Sequence, residues 1–176
     1  LLVVGAGMRA GQCTTEATAA IRGADIVLSV MGDALSQAWL EQLNPRVRSL
    51  QHHYAAAPDR PSAYKGMVAE IMDELRAGAS VCAVFYGHPG VFVTPSHRAV
   101  SAARAEGFEA LMLPGVSAEA CLFADLGIDP GDFGCQSYEA HDFFVRRPSF
   151  DTSAALILWQ IAVVGDAAFR RLDPQT

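Results

Sequence analysis

Apolar residues along the first 125 positions come in short runs separated by amphipathic stretches. Leu1-Leu2-Val3-Val4 opens the series, and Val81-Cys82-Ala83-Val84-Phe85 is its most continuous member. Short apolar runs rich in β-branched residues and bounded by glycine or proline are typical of strands buried on both faces. The pattern predicts strands over 1–5, 25–30, 46–50, 80–86 and 109–113. Between them it predicts helices near 14–22, 33–43, 62–77 and 95–106, with another at 117–126. Ser62 is read as the N-cap of the third helix and Gly78 as its stop, while Gly23 and Gly107 follow helical runs and precede strands. Such strand–helix alternation predicts an α/β fold, with a mostly parallel sheet and helices on both faces.

The pattern changes after residue 128. Asp129-Pro130-Gly131-Asp132 reads as a linker, followed by Gln136-Ser137-Tyr138-Glu139, a loop through Pro148, and the apolar Ala155-Leu156-Ile157-Leu158-Trp159. The expected organisation is an N-terminal α/β lobe over 1–128 and the start of a second, incompletely present α/β lobe over 129–176. The chain opens inside an apolar run without Met and closes on the polar Arg170-Arg171-Leu172-Asp173-Pro174-Gln175-Thr176. We expect further residues beyond both ends.

Composition narrows the function classes. A chain of 176 residues that is 51% hydrophobic and 18% charged has ample material for a core, which argues against a disordered protein. The formal charge of −6 argues against nucleic acid, whose phosphates demand clustered Lys and Arg. The basic pairs Arg46/Arg48 and Arg146/Arg147 are too short to change that. Cys13, Cys82, Cys121 and Cys135 are widely spaced with no CxxC, so no metal site is expected. Cys82 and Cys121 sit in apolar runs and read as reduced core residues, which, without a signal peptide, points to the cytoplasm. The longest apolar stretch, 154–164, is too short to span a bilayer, so no membrane contact is expected.

The unusual residues gather at strand ends. Ligands of open parallel sheets bind outside the carboxyl ends of the strands. Those ends carry Gly5-Ala6-Gly7-Met8, Gln51-His52-His53-Tyr54, Tyr86-Gly87-His88-Pro89-Gly90 and Leu113-Pro114-Gly115-Val116-Ser117-Ala118. Gly5-Ala6-Gly7 admits a Rossmann reading with Ala10 at the third glycine position, but Ser29-Val30-Met31-Gly32-Asp33 offers no clear acidic ribose partner. It reads equally well as a tight turn without a ligand. Gly87-His88-Pro89-Gly90 fixes a turn that lets a ligand approach the backbone closely. In the loop before the third helix, Arg60 lies just ahead of Tyr64, which falls in the first helical turn. By themselves Tyr54, Arg60 and Tyr64 read more readily as a surface Arg with two semi-buried tyrosines.

These strand ends resemble the tetrapyrrole methylase superfamily, and within it the borosin-type peptide backbone α-N-methyltransferases. The resembling segments are Tyr54 through Tyr64, Tyr86 through Phe92, Leu113 through Ala118, Cys135 through Ala140, and Leu156 through Gln160. The proline–glycine turns are shared by the wider superfamily, whereas the first and last segments are specific. The resemblance implies S-adenosylmethionine bound between two α/β lobes, with S-adenosylhomocysteine as product and no metal. It implies that Tyr54, Arg60 and Tyr64 surround the reacting amide. It implies cofactor contacts from Tyr86, His88, Val91, Phe92, Ser117, Ala118 and Gln160. It also implies a homodimer acting on a peptide that is a separate precursor or a fused C-terminal segment. The first loop, Gly5-Ala6-Gly7-Met8-Arg9, departs from the superfamily's Gly-x-Gly-Pro-Gly turn.

The expected chemistry is methylation of peptide backbone nitrogens. The amide lone pair is delocalised into the carbonyl. Loss of the N–H proton therefore places charge on the carbonyl oxygen, where the Arg60 guanidinium would stabilise it. Tyr54 or Tyr64 would take the proton, since a neighbouring Arg favours tyrosinate. Two alternatives remain at this level. One keeps the fold and changes the acceptor to a porphyrinoid carbon or an RNA ribose. The other is a non-catalytic module binding the cofactor or a peptide.

Overall fold

The computed structural model describes residues 1–165, so the closing polar segment and the end of the expected second lobe lie outside the described residues. The chain divides into two compact units, the first over residues 1–121 and the second from Leu122 onward.

The first unit is a five-stranded, all-parallel sheet in the order β3-β2-β4-β1-β5. In chain order its elements are β1 (Leu2–Gly5), α1 (Thr15–Gly23), β2 (Ile26–Val30), α2 (Ala34–Leu43), β3 (Val47–Ser49), α3 (His52–Ala56), α4 (Arg60–Arg76), β4 (Val81–Phe85), α5 (Thr94–Ala105), β5 (Leu111–Met112) and the start of α6 (Ala118–Leu126). All five predicted strands and five predicted helices are present, each with its ends shifted by a few residues.

Strand alternation sorts the core into two layers. Val4, Val27, Cys82 and Val84 pack with Ala17 and Ile21 of α1 and Leu40 of α2. Val3, Leu28, Ala83 and Phe85 pack with Met67 and Ile71 of α4 and Ala99 and Ala103 of α5. The connections leaving neighbouring β1 and β4 therefore run to opposite faces. That is the topological switch point at which open α/β sheets bind ligands. Cys82 is fully buried as expected, and burial pushes its thiol up to about 12. Cys121 is only half-buried and accepts a hydrogen bond from Gln12 Nε2 at 3.3 Å, so it is not a core residue.

Two local expectations need correction. Residues 52–56 form a short helix, not the tail of β3. The long helix starts at Arg60 and is capped by Asp59, whose carboxylate accepts the Ser62 amide at 2.7 Å. Pro61 fits the first turn because no intrahelical partner is needed for its missing N–H. Ser62 is thus inside the helix and its backbone is the capped donor.

The second unit holds α7 (Pro130–Phe133), β6 (Cys135–Glu139), α8 (Ala140–Arg146) and β7 (Ala155–Trp159). A short helix stands where a linker was expected, and α8 occupies part of the expected loop. Glu139 starts α8 by accepting the Asp142 amide at 2.8 Å. β6 and β7 pair in parallel from Cys135↔Ala155 to Glu139↔Trp159. Trp159 Nε1 donates to Ser137 Oγ at 2.7 Å across the pair. The Tyr138, Phe143 and Phe150 rings stack successively at 5.3 and 5.5 Å. No helix among the described residues is long and apolar enough to cross a membrane.

Beyond the ends of β1 and β4 the two glycine turns are bonded together. Gly7 N donates to Gly87 O at 3.2 Å, and Gly87 N donates to Gly7 O at 2.8 Å. Both glycines have φ near +70°, a conformation that strains residues with a Cβ. A Cβ on Gly5 would lie 2.3 Å from Gly87 O, and one on Gly115 would lie 3.1 Å from Gly5 Cα. Gly11, by contrast, has open space around it. Gly5→Ala should lower stability by about 1–3 kcal/mol, the scale of overpacking a tight site. Gly11→Ala should stay within about 0.5 kcal/mol of the parent. Denaturant midpoints measure both, and an unchanged midpoint for Gly5→Ala would show that the junction is not tight.

Candidate active site

The carboxyl edge of the sheet is lined by backbone that is already satisfied. Ala6 N donates to Phe85 O at 2.9 Å, Gly7 N to Gly87 O, and Met8 N to Gln12 Oε1 at 2.8 Å. Three successive amides that a phosphate-binding loop would present to its ligand are thus used within the chain. The Rossmann-like reading of Gly5-Ala6-Gly7 fails on this geometry. The glycines are needed for close packing of strand ends.

What the edge does offer is apolar and aromatic. Met8, Tyr86, Val91 and Phe92 are all exposed there although large and hydrophobic. Tyr86 leaves β4 with its amide donating to Val30 O at 3.0 Å. The turn that follows is shaped from inside. His88 Nδ1 accepts the Gly90 amide at 2.9 Å, and His97 Nε2 lies 3.0 Å from Gly90 O. Ser96 Oγ donates to the carbonyls of Pro89 and Val93. Pro89 is fully buried, so the turn is anchored at its centre. Phe92 follows in a left-handed conformation, φ 55°, which holds it at some cost in backbone strain. A shallow hollow on the same edge is lined by Ala6, Gly7, Met8, Gly32, Trp39 and Tyr86. Trp39 was not singled out from sequence, and Met8 and Gly32 entered only as members of strand-end segments. Proximity at the sheet edge selects them, and no motif does.

Ser117 and Ala118 start α6. The Ser117 hydroxyl accepts the Ala120 amide at 3.0 Å, so its oxygen serves as a helix cap. Gln160 belongs to the second unit and follows β7 with φ 61°.

Tyr54, Arg60 and Tyr64 are brought together by α3 and α4. Arg60 opens α4 and Tyr64 lies one turn on, so the two share a face. The Arg60 guanidinium carbon stands 5.9 Å from the centre of the Tyr64 ring. Tyr54, on α3, meets Tyr64 edge-on, with ring centres 6.2 Å apart at 75°. Both tyrosines pack against the α4/α5 side of the core. Helix α3 sits close on α4 because Gly66 leaves room: a Cβ there would be 2.5 Å from His53 Nδ1. His53 Nε2 also lies 2.8 Å from Glu70 Oε2.

Burial governs the electrostatics of Tyr54. Burial holds the Tyr54 phenol well above its ordinary pKa of 10, and the nearby Tyr64 and Tyr86 add to this. The Arg60 guanidinium pulls the other way, but by less, and the hydrogen bond to Tyr64 further favours the neutral phenol. The expectation that Arg60 would favour tyrosinate at either position does not hold for Tyr54, because desolvation outweighs one guanidinium. The influence of Tyr86 on Tyr54 also links this trio to the sheet edge.

A raised phenol pKa has a defined consequence for stability. The folded state binds the Tyr54 proton more tightly than the unfolded chain, so this contribution is complete below pH 10. It is lost as pH rises above 10, where the unfolded state releases the proton first. Tyr54→Phe should therefore flatten the alkaline decline in stability measured by urea unfolding. An identical slope in parent and variant would show Tyr54 to titrate normally.

Comparisons with known proteins bear on the family and the fold. Residues 1–168 match the family model described as Tetrapyrrole (Corrin/Porphyrin) Methylases. A methyltransferase/ribosomally synthesized type I borosin cyclic peptide precursor from Coprinopsis marcescibilis is 43% identical over 177 aligned positions, covering 99% of this chain and 45% of that protein. The methyltransferase/dendrothelin A precursor of Dendrothele bispora is 45% identical, covering 96% of this chain and 41% of that protein. The chain thus spans less than half the length of these relatives. Among solved structures, uroporphyrin-III-C-methyltransferase from Thermus thermophilus superposes with a TM-score of 0.67 at 21% identity, over 89% of this chain and 66% of that one.

Proposed function

The chain belongs to the tetrapyrrole (corrin/porphyrin) methylase family, and from that premise we propose that it is an S-adenosylmethionine-dependent methyltransferase acting on backbone amides of a ribosomally made peptide. The observation that carries the peptide reading is the Tyr54–Arg60–Tyr64 cluster, in a chain more than 40% identical to relatives named as methyltransferase and cyclic peptide precursor.

The sheet edge suits this cofactor. S-adenosylmethionine carries no phosphate, and the edge keeps no row of amides for one. It presents the exposed faces of Tyr86, Val91 and Phe92. An aromatic face attracts a cation, which suits Tyr86 to a sulfonium. We assign Tyr86, His88, Val91, Phe92, Ser117 and Ala118 to cofactor binding, with His88 acting through the turn it shapes. Gln160 joins them on sequence resemblance alone. When bound, the cofactor supplies a methyl group on an already activated sulfonium, so this chain's residues work on the acceptor.

Arg60 neutralises charge developing on the amide oxygen as the N–H proton leaves. We assign proton removal to Tyr64. It has the Arg60 guanidinium against its ring and the Tyr54 hydroxyl as hydrogen-bond partner, whereas Tyr54 is held neutral. Tyr54 then orients Tyr64. Fixing acceptor and donor in line contributes the remaining several kcal/mol. The acceptor peptide comes from a separate precursor or from further residues of the same polypeptide. A cytosolic homodimer completes the proposal, and sedimentation would test the dimer.

Arg60→Ala and Tyr64→Phe should each abolish methyl transfer, read as methyl mass increments on a candidate peptide, with cofactor affinity nearly intact. His88→Ala should weaken cofactor binding measured by calorimetry. Undiminished methylation by Arg60→Ala and Tyr64→Phe would overturn the catalytic assignment. Transfer to a porphyrinoid by those same variants would favour a tetrapyrrole acceptor.

A further inference from the structure

Where α3 meets α4, His52, His53 and Glu70 converge on one point. His52 Nε2 lies 3.3 Å from Glu70 Oε2, and His53 Nε2 lies 2.8 Å from the same oxygen. The three atoms all lie within 4.8 Å of one another. We propose that these three side chains form a binding site for a zinc-type divalent cation, which clamps α3 onto α4.

The orientation of each ligand supports this. His52 Nδ1 is 2.9 Å from the Ser49 carbonyl. A carbonyl only accepts, so Nδ1 carries the proton and Nε2 of the neutral ring presents a lone pair. That lone pair faces a carboxylate oxygen. Two acceptors in contact are stable only with a positive charge on or between them. Glu70 is aimed likewise: its other oxygen accepts from Arg48 Nη1 at 3.0 Å, which turns Oε2 toward the imidazoles. Outer contacts that fix a histidine's tautomer and a carboxylate's direction are characteristic of metal sites. Arg48 does not leave excess positive charge, because Glu74 Oε1 pairs with its second nitrogen at 2.5 Å.

A proton on His52 would also resolve the contact. It is the weaker solution here. His53 Nε2 and Arg48 already approach the same carboxylate, and the two imidazole rings are only 4.1 Å apart. Charge on both rings would place two cations at that distance. One divalent cation instead accepts all three lone pairs. Zinc bonds of about 2.0–2.1 Å imply tetrahedral ligand–ligand edges of about 3.3 Å, which is the His52–Glu70 separation, while the 2.8 Å contact at His53 would open slightly around the ion. His52 is more than half exposed, which leaves a path for the ion and an open position for water.

The test uses the untagged chain and zinc itself. Calorimetry should give one zinc per chain, and His52→Ala and Glu70→Gln should each weaken binding about tenfold or more. His141→Ala, in the second unit, should bind as the parent does. Zinc should raise the thermal midpoint of the parent and not that of His52→Ala, since only the folded site binds the ion. His52 is exposed, so its variant stays interpretable if Glu70→Gln unfolds. No zinc binding by the parent, or parent-like affinity in His52→Ala, would overturn the proposal and leave a protonated His–Glu contact.

Discussion

The contact on which the site depends is the backbone bridge between Gly7 and Gly87, closed over by Gly5 and Gly115. Neighbouring strands β1 and β4 send their chains to opposite faces, which would ordinarily open a crevice between the departing loops. Here the two loops bond to one another instead. The arrangement needs glycine at several positions, for φ at Gly7 and Gly87 and for space at Gly5 and Gly115. It consumes the amides that would hold a phosphate. It also sends Tyr86 out over the edge, directly after the buried β4.

The Tyr54–Arg60–Tyr64 cluster depends on a different constraint, the close approach of α3 and α4. Asp59 sets where α4 begins, and so sets Arg60 at the first position and Tyr64 a turn later. Gly66 allows α3 to lie flush, with His53 against the helix. Tyr54, following His53, is thereby half-buried beside Tyr64. Burial, more than any single charge, keeps Tyr54 protonated. The same short helix carries His52 and His53 toward Glu70, so one five-residue element contributes to two side-chain clusters.

The chain belongs to the methylase family, and solved structures near 20% identity support the fold alone. The peptide reading draws on the curated relatives and on three residues of α3 and α4. Fold supports a cofactor, and local side chains select an acceptor.

The sequence alone determined the strands, the main helices and the parallel sheet, because two-sided burial writes itself as continuous apolar runs such as Val81 to Phe85. It also placed Tyr54, Arg60 and Tyr64 at a spacing that resembled a known site. It did not announce α3, whose five residues carry too little periodicity to read. Nor did it reveal that Gly5 and Gly7 serve packing, since a tight turn and a phosphate loop use the same residue for the same freedom of φ. The meeting of His52 and His53 with Glu70, seventeen residues beyond His53, and the raised pKa of Tyr54 were decided only by the tertiary structure. Both depend on what surrounds a side chain in space, and desolvation and convergence leave no mark on the order of residues along the chain.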